Sequence, residues 1–366
     1  MNEVTAAIRQ IVEDNYDLGE VVDVTEIKAG DTNNSFLIEC LNKQGRKKWY
    51  VRQYNPAVEE CDIIYEHAFE GYLNGRIDPE IQTVLPIKCR NGKTWVRTKY
   101  QGQLNFYAVF NTISGNEPYS WEFNDLSDTA YDSCAEIAAK FHAWSYGFEG
   151  PEGSGRREPP LQTQFQVWRK DLPESIIRLG KREKVFKRFT DYLKKEESFI
   201  LDTIDFCEAE LAKYEKKLKV CINHKDLNPG NVMFDDQDRV NAVFDLDWVN
   251  QDYRLYDLGW MGYQISASWD TDSWGLVSIE KVKRLIRIYN ETMLKTRCPL
   301  GGLTPDEVEF MPAMMIIGAM KVIMDFICYE DHEDDVYRVF VNTWRFISSI
   351  RYMRDHLNEM IREIKQ

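Results

Sequence analysis

The chain lacks any close pair of cysteines. Its 8 cysteines stand singly at 40, 61, 89, 134, 207, 221, 298 and 328, with no C-x-x-C and no Cys/His group at zinc spacing. That pattern argues against a disulfide framework or a structural zinc site, and leaves reduced thiols in a cytoplasmic protein as the expectation. A dense Lys/Arg run is also missing, and the formal net charge is -14. Nucleic-acid binding needs a basic surface, so no nucleic-acid partner is expected. The lysines from Lys213 to Lys219 alternate with Glu and Tyr, as on a solvated helix face. Residues 1–15 carry no basic stretch followed by an apolar core, so no signal peptide is expected. A run of ~18 apolar residues, the length a membrane helix needs, is absent too. The nearest stretch, Phe310 to Ile327, is broken by Pro312 and Lys321 and reads as a buried helix. There is no internal repeat and no long low-complexity tract.

What is present is enough chain for two lobes: 366 residues, 43% hydrophobic and 29% charged. Aromatics are plentiful at 13%, with 10 Trp and 19 Tyr, which suits large cores or a pocket with flat walls. After a helix over Met1 to Asn15, strands are predicted over Val21 to Lys28, Phe36 to Cys40 and Trp49 to Tyr54. Cys61 to Asn74 carries apolar residues at helical spacing, and Gln82 to Ile87, Thr94 to Tyr100 and Asn105 to Ile113 read as further strands. Beyond Ser114–Pro118 the pattern turns helical: Ser133 to Trp144, Val185 to Tyr214, Ile279 to Thr296, Pro305 to Ile327 and Phe340 to Ile364. Gly147 to Pro160, rich in Gly, Pro and charge, reads as a loop or flexible excursion. The expected fold is therefore α+β and bilobal, on the plan of kinases. Residues 1–113 form a small antiparallel β lobe, and residues 114–366 a larger, mainly helical lobe.

One strand-rich island, residues 219–246, interrupts the helical part. The apolar strand Val220-Cys221-Ile222 delivers His224 and Asp226 into a loop that ends at Asn231. A turn follows, and a second apolar strand runs into Asp245-Leu246-Asp247-Trp248. Two hairpin strands would bring Asp226, Asn231 and Asp245 to one end. Phosphoryl transfer from ATP needs such a set: a carboxylate to hold the attacking hydroxyl, and oxygen ligands for magnesium. Asp226 suits the first task. Asn231 and Asp245 suit the second, with Asp247 as a further contact. His224 would brace the loop. A single Asp in a loop is ordinarily a turn or cap residue; the joint pattern carries the assignment.

His224-Lys225-Asp226-Leu227-Asn228-Pro229-Gly230-Asn231, followed by Phe244-Asp245-Leu246-Asp247-Trp248, resembles the paired signature of the aminoglycoside phosphotransferase and choline kinase-like superfamily. The usual form there is H-G-D-x-x-P-x-N and I-D-F/W-D, so Lys225 and Leu246 depart from it. Gly30-Asp31-Thr32-Asn33-Asn34-Ser35-Phe36 resembles the phosphate-loop region of the homoserine kinase-like, methylthioribose kinase-like and N-acetylhexosamine kinase-like branches, which makes Gly30 and Asn33 nucleotide contacts. Met320–Phe326 is faintly similar to the N-acetylhexosamine branch. The resemblance further implies that Arg52 on the third strand pairs with the nucleotide phosphates, and that Glu66, in preference to Glu70, orients it. It also implies that the backbone of Phe110–Ile113, including Asn111 and Ile113, grips the adenine edge.

ATP and Mg2+ are the implied cofactors, and the implied partner is a small hydroxyl-bearing acceptor. Asp257, in Tyr256-Asp257-Leu258-Gly259-Trp260, is expected to brace the catalytic loop, and Trp260, Tyr263, Trp269 and Trp274 supply flat faces nearby. The acidic run Glu330–Asp335 reads as a solvated loop or as a counter-charge for a cationic acceptor. A hydroxylated amino acid such as homoserine, a sugar or amino sugar, and an amino alcohol all stay open. An inactive kinase-like regulatory protein is the alternative from another class. Retention of Asp226, Asn231 and Asp245 weighs against it.

Overall fold

The computed structural model describes residues 3–27, 33–100, 102–122, 124–156, 159–182, 186–328 and 336–366. In chain order the elements begin α1 (Glu3–Asn15), β1 (Glu20–Ile27), β2 (Asn34–Asn42), β3 (Gly45–Gln53), α2 (Glu60–Asn74), β4 (Gln82–Thr83), β5 (Val96–Tyr100) and β6 (Gln103–Asn111). Then come α3 (Asp128–Ser145), α4 (Leu161–Gly180), α5 (Lys187–Tyr214), β7 (Val220–Asn223), β8 (Val232–Phe234), β9 (Val240–Val243) and β10 (Asn250–Tyr253). The chain closes with α6 (Leu255–Ser266), α7 (Ile279–Thr296), α8 (Pro305–Cys328), α9 (Val336–Asp355) and α10 (Leu357–Ile364). Two compact units result. The first comprises Met1–Asn116, Gly147–Arg157 and Asn241–Trp248, and the second comprises the rest.

The first unit is built on an antiparallel sheet of order β1-β2-β3-β6-β5. Strand alternation sends Phe36, Ile38 and Val51 to one face, where they pack with Ile8 and Val12 of α1. The same alternation sends Arg52 to the opposite face, beside Tyr54, Ile63 and Phe110. The Gln82 to Ile87 strand expected from sequence shrinks to two residues, paired in parallel with Ala242 and Val243 of β9. Pro86 has no N–H to donate, so that stretch follows β6 only through isolated bonds such as Ile87 N–H to the Val109 carbonyl (2.7 Å).

The Gly147 to Pro160 stretch is no loose excursion. Phe148 inserts among Tyr65, Phe69 and Tyr72 of α2 with ring centroids 5.1–5.4 Å away. Gly150 lies so close to the Tyr65 ring that a Cβ would come within 2.5 Å of it. Aromatic burial accompanies the return of residues 147–156 to the first unit.

The second unit is helical around α8. That helix is long and apolar enough, by length and composition, to cross a membrane, and 83% of its most apolar stretch is buried inside the protein. It is a core helix, and Pro312 sits within it. Gly259 of α6 and Gly318 of α8 permit unusually close backbone approach. A Cβ on Gly259 would lie 2.5 Å from Met314 Cγ, and one on Gly318 would lie 3.0 Å from Trp260 Cα.

Two helical expectations change. α4 is absent from them, although Leu161, Phe165, Trp168, Leu172, Ile176 and Leu179 recur at helical spacing and are buried; Pro173 disguises it. The single helix over Phe340 to Ile364 is two helices. They meet at His356 (φ -107°), whose ring folds back on Tyr352 with centroids 4.3 Å apart and whose Nδ1 lies 2.8 Å from the Tyr352 carbonyl oxygen.

The glycine contact gives a first prediction. Gly259→Ala should cost about 1–3 kcal/mol, because the new methyl meets Met314 main chain as well as side chain. Urea unfolding of the variant reads the loss. A midpoint equal to the parent's would show that α6 and α8 can separate freely.

Candidate functional site

In the second unit, β7 pairs antiparallel with β10 and releases the chain at Asn223 into the predicted catalytic loop. The loop is fixed from beneath by Asp257, at the start of α6. Asp257 Oδ2 accepts the His224 N–H (2.7 Å) and Oδ1 accepts the Lys225 N–H (2.8 Å). Asp257 is fully buried, and His142 Nε2 meets its Oδ2 at 3.2 Å while His142 Nδ1 meets the Tyr289 hydroxyl at 2.9 Å. The His224 ring is fully buried too, 5.5 Å from Phe141. Lys225 has φ +72°, the left-handed region in which glycine is at ease. A lysine holds that position because its Nζ pairs with buried Asp252 (2.6 Å) and sits 3.8 Å from the Tyr256 ring.

Asp226 follows, and donors surround its carboxylate. Asn228 Nδ2 (3.0 Å) and Trp260 Nε1 (3.1 Å) reach Oδ1, while Asn231 Nδ2 reaches Oδ2 and the Asp226 carbonyl at 2.8 Å each. Asn228 also caps the short turn Pro229–Asn231 through the Gly230 N–H (2.8 Å). Burial raises the Asp226 pKa above its ordinary value, and His224, Lys321, Asn231 and Asn228 work against that rise.

In the first unit a second cluster gathers on Arg52. Arg52 Nη1 donates to Glu66 Oε1 (2.8 Å) and Nη2 to Asp245 Oδ1 (3.1 Å), and Asp247 Oδ2 lies 3.9 Å away. Burial opposes the charge on Arg52, yet Glu66, Asp247 and Asp245 hold its pKa well above the usual value. Asp245 itself has φ +61°. Asn33, expected at the nucleotide, spends its side chain here: Nδ2 donates to Asp247 Oδ2 (2.8 Å) and Oδ1 accepts the Asn55 N–H (2.9 Å). Burial lifts the Glu66 carboxyl to about 7 and the Glu70 carboxyl well above its ordinary value, Glu66 adding to the latter. Tyr54 donates to Glu66 Oε2 (3.2 Å).

The structure thus brings Arg52, Glu66, Asn33, Asp245 and Asp247 together in one unit, and His224, Asp226 and Asn231 together in the other. Asn111 ends β6, where its side chain holds the Leu85 N–H (2.5 Å) and the Thr83 carbonyl (3.3 Å), and Ile113 is half-buried beyond it. Gly30 and the Glu330–Asp335 run lie outside the described residues. Sequence reasoning did not find the contacts of Asn228, Trp260, Tyr54 and Glu70. The Asn-Pro turn was a readable signal for Asn228. Trp260 touches Asp226 from 34 positions away, where spacing carries no signal.

The chain belongs to the phosphotransferase enzyme family, whose model matches residues 23–290. It is similar to the Dictyostelium discoideum protein named "Probable ethanolamine kinase A", with 23% identity over 240 residues, 66% of this chain and 60% of that protein. The alignment thus spans less than two thirds of that relative's length. Among solved structures, a microcompartment-associated aminopropanol kinase aligns with a TM-score of 0.68 and 14% identity, over 97% of this chain and 98% of its own. The choline kinase from Cryptosporidium parvum Iowa II gives 0.59 and 15%, over 98% and 97%. An amicoumacin kinase, solved with AMP-PNP and Ca2+, gives 0.64 and 14%, over 96% of each chain. These likenesses establish the fold: the α+β protein kinase-like fold expected from the sequence, with an antiparallel sheet in one unit and mainly helices in the other.

The buried acids give a second prediction. The folded chain keeps a proton on the Glu66–Glu70 pair at pH values where the unfolded chain has released it. The stability this adds is fully present below the ordinary carboxylate range and is lost as pH rises through the raised value. Glu70→Gln mimics the protonated acid, so it should flatten the fall of Tm between weakly acidic and alkaline pH. An unchanged slope would place the proton elsewhere.

Proposed function

We propose that the protein transfers the γ-phosphoryl group of ATP to a hydroxyl of a small metabolite. The carrying observation is the Asp226 carboxylate, presented on a braced loop by Asn228, Asn231 and Trp260. Three donors fix its direction and leave each oxygen with further acceptor capacity for a substrate hydroxyl. On this reading Asp226 accepts the hydroxyl proton and aligns the nucleophile, and His224 takes part through the backbone brace to Asp257.

Arg52 binds the donor phosphates and Glu66 orients it. Its Nε is buried with no hydrogen-bond partner among the described residues, which suits a phosphate oxygen. Family resemblance alone supports Gly30 and the backbone at Asn111 and Ile113 as nucleotide contacts. Asn33 acts on this reading through Asp247.

The donor chemistry of the first unit fits magnesium. Asp245 and Asp247 offer hard oxygens, and Asp247 Oδ1 is buried with no hydrogen-bond partner among the described residues. Asp245 and Asp247 would hold the ion; family resemblance alone supports Asn231 as a metal ligand. Magnesium would neutralise charge on the phosphates. The named relatives act on ethanolamine, aminopropanol and choline, which supports a small acceptor.

Asp226→Asn should lower kcat by ~10²–10⁴-fold while nucleotide affinity stays near wild type. Acceptor-dependent ADP release and a nucleotide titration read the two quantities, and near-parental turnover would reject the role. Wild-type kcat/KM should also fall on the acid side as Asp226 takes up its proton. Because burial raises this pKa, the limb should lie above the ordinary carboxylate range of ~3.9. Arg52→Ala should raise the KM for ATP more than that for the acceptor; the opposite order would unseat the phosphate assignment.

A further inference from the structure

Three arginines are buried among the described residues: Arg52, Arg254 and Arg345. Two have carboxylate partners. Arg52 meets Glu66 and Asp245, while Arg254 meets Glu307 and the carbonyls of Gly301 and Gly302. Arg345 on α9 is different. It is 0% exposed, and its Nε, Nη1 and Nη2 all lack a hydrogen-bond partner among the described residues. Its guanidinium lies 3.2 Å from the Trp269 ring centroid and 5.6 Å from those of Tyr263 and Phe346. Aromatic faces attract a cation but satisfy none of its five N–H donors. A buried charge without an anion is costly, and a ligand that supplies the anion would remove that cost.

The box stands behind the proposed acceptor carboxylate. Trp260, whose Nε1 donates to Asp226, lies 6.4 Å from Tyr263 and 6.3 Å from Phe346 between ring centroids. Two rings of the Arg345 box therefore pack against the tryptophan that touches Asp226. Gln264, next to Tyr263 on α6, is a second fully buried side chain with neither amide atom partnered. Glu122 acts on Arg345 at longer range, but its Oε1 accepts from Arg338 (2.7 Å) and Asn342 (2.8 Å).

We propose that Arg345 is the anchor for a carboxylate on the phosphoryl acceptor, which makes the acceptor a hydroxyl-bearing monocarboxylate. The inference rests on the kinase reading above for the identity of the hydroxyl's partner, Asp226. One guanidinium matches one carboxylate in charge and in two-pronged geometry, whereas a phosphate dianion would remain half-compensated in an aromatic box. The segment from Ser268 to Leu276 is tied at its neck by Ser268 N–H to the Leu276 carbonyl (2.8 Å) and Gly275 N–H to the Ser268 carbonyl (2.9 Å). Trp269 lies within that closed segment and covers the guanidinium.

Acceptor pairs that differ only by the carboxylate provide the test: serine against ethanolamine, homoserine against propanolamine, and hydroxynorvaline against butanolamine. Each is offered with ATP, and binding of each without ATP is followed by calorimetry. In the pair whose length fits, the carboxylate member should show a kcat/KM at least ~100-fold higher, since a site built for a polar group strongly rejects the analogue that lacks it. Arg345→Met should fold with an equal or higher Tm, because an unpaired buried charge is replaced by an apolar side chain of similar length. It should lose that preference through a raised KM for the carboxylate members. Equal or better use of the amino alcohol in all three pairs overturns the inference, and so does an unchanged carboxylate KM in Arg345→Met. If those amino alcohols are phosphorylated in an Asp226-dependent way, the kinase reading stands while this one falls. Arg345-dependent binding of a carboxylate by a protein that phosphorylates nothing supports the anchor and removes the kinase reading. Should Arg345→Met fail to fold, the wild-type pairs decide alone.

Discussion

Two backbone N–H groups point down from the turn after β7, and the buried carboxylate of Asp257 receives both. That fork fixes the peptide planes of His224 and Lys225, and with them the direction in which Asp226 leaves the strand. Charge-assisted bonds of 2.7–2.8 Å are the strong kind, and they are stronger still away from water. The same aspartate opens α6, so the loop and the helix that carries Trp260 are registered to each other. Gly259 and Gly318 then seat α6 against α8. Precision at Asp226 thus comes from a carboxylate that touches no substrate on the proposed reading, and from two absent side chains.

The first unit handles charge differently. Three carboxylates, Glu66, Asp247 and Asp245, support the charge of one guanidinium against its burial, and beside them burial suppresses ionisation of Glu70. Arg52 is consequently held protonated and oriented. The left-handed backbone at Asp245 lets it face Arg52 directly from the end of β9. Such a centre keeps a net demand for positive charge, in keeping with a divalent ion and its phosphates.

Much of this was legible. Helix α7 was bounded correctly because Val282, Leu285, Ile286, Tyr289 and Met293 form one stripe and Ser278 caps it. The kinase-like fold followed from the β-then-α order and the paired motif. α6 gave no amphipathic signal because all twelve of its residues are buried, so no polar face marked it. Pro173 hid α4, and α9 gives way to α10 at His356 without any glycine or proline to announce it. At the site, Asp226 and Asn231 were readable from local spacing. The bond from Trp260 and the isolation of Arg345 arise from packing between distant segments, which local pattern does not encode.

Lys225 stands where the usual form of the H-x-D motif has glycine, in a conformation that disfavours a side chain, and its ammonium is the partner of buried Asp252. Neither residue can drift alone. A glycine at 225 relaxes the backbone but strands a carboxylate in the interior, and a neutral residue at 252 strands an ammonium. The two positions are coupled: return to the glycine form without a buried unpaired charge requires a double change. Lineages that hold lysine in the second place of H-x-D should therefore hold an acid on the neighbouring strand, and lineages with glycine there should be indifferent to it.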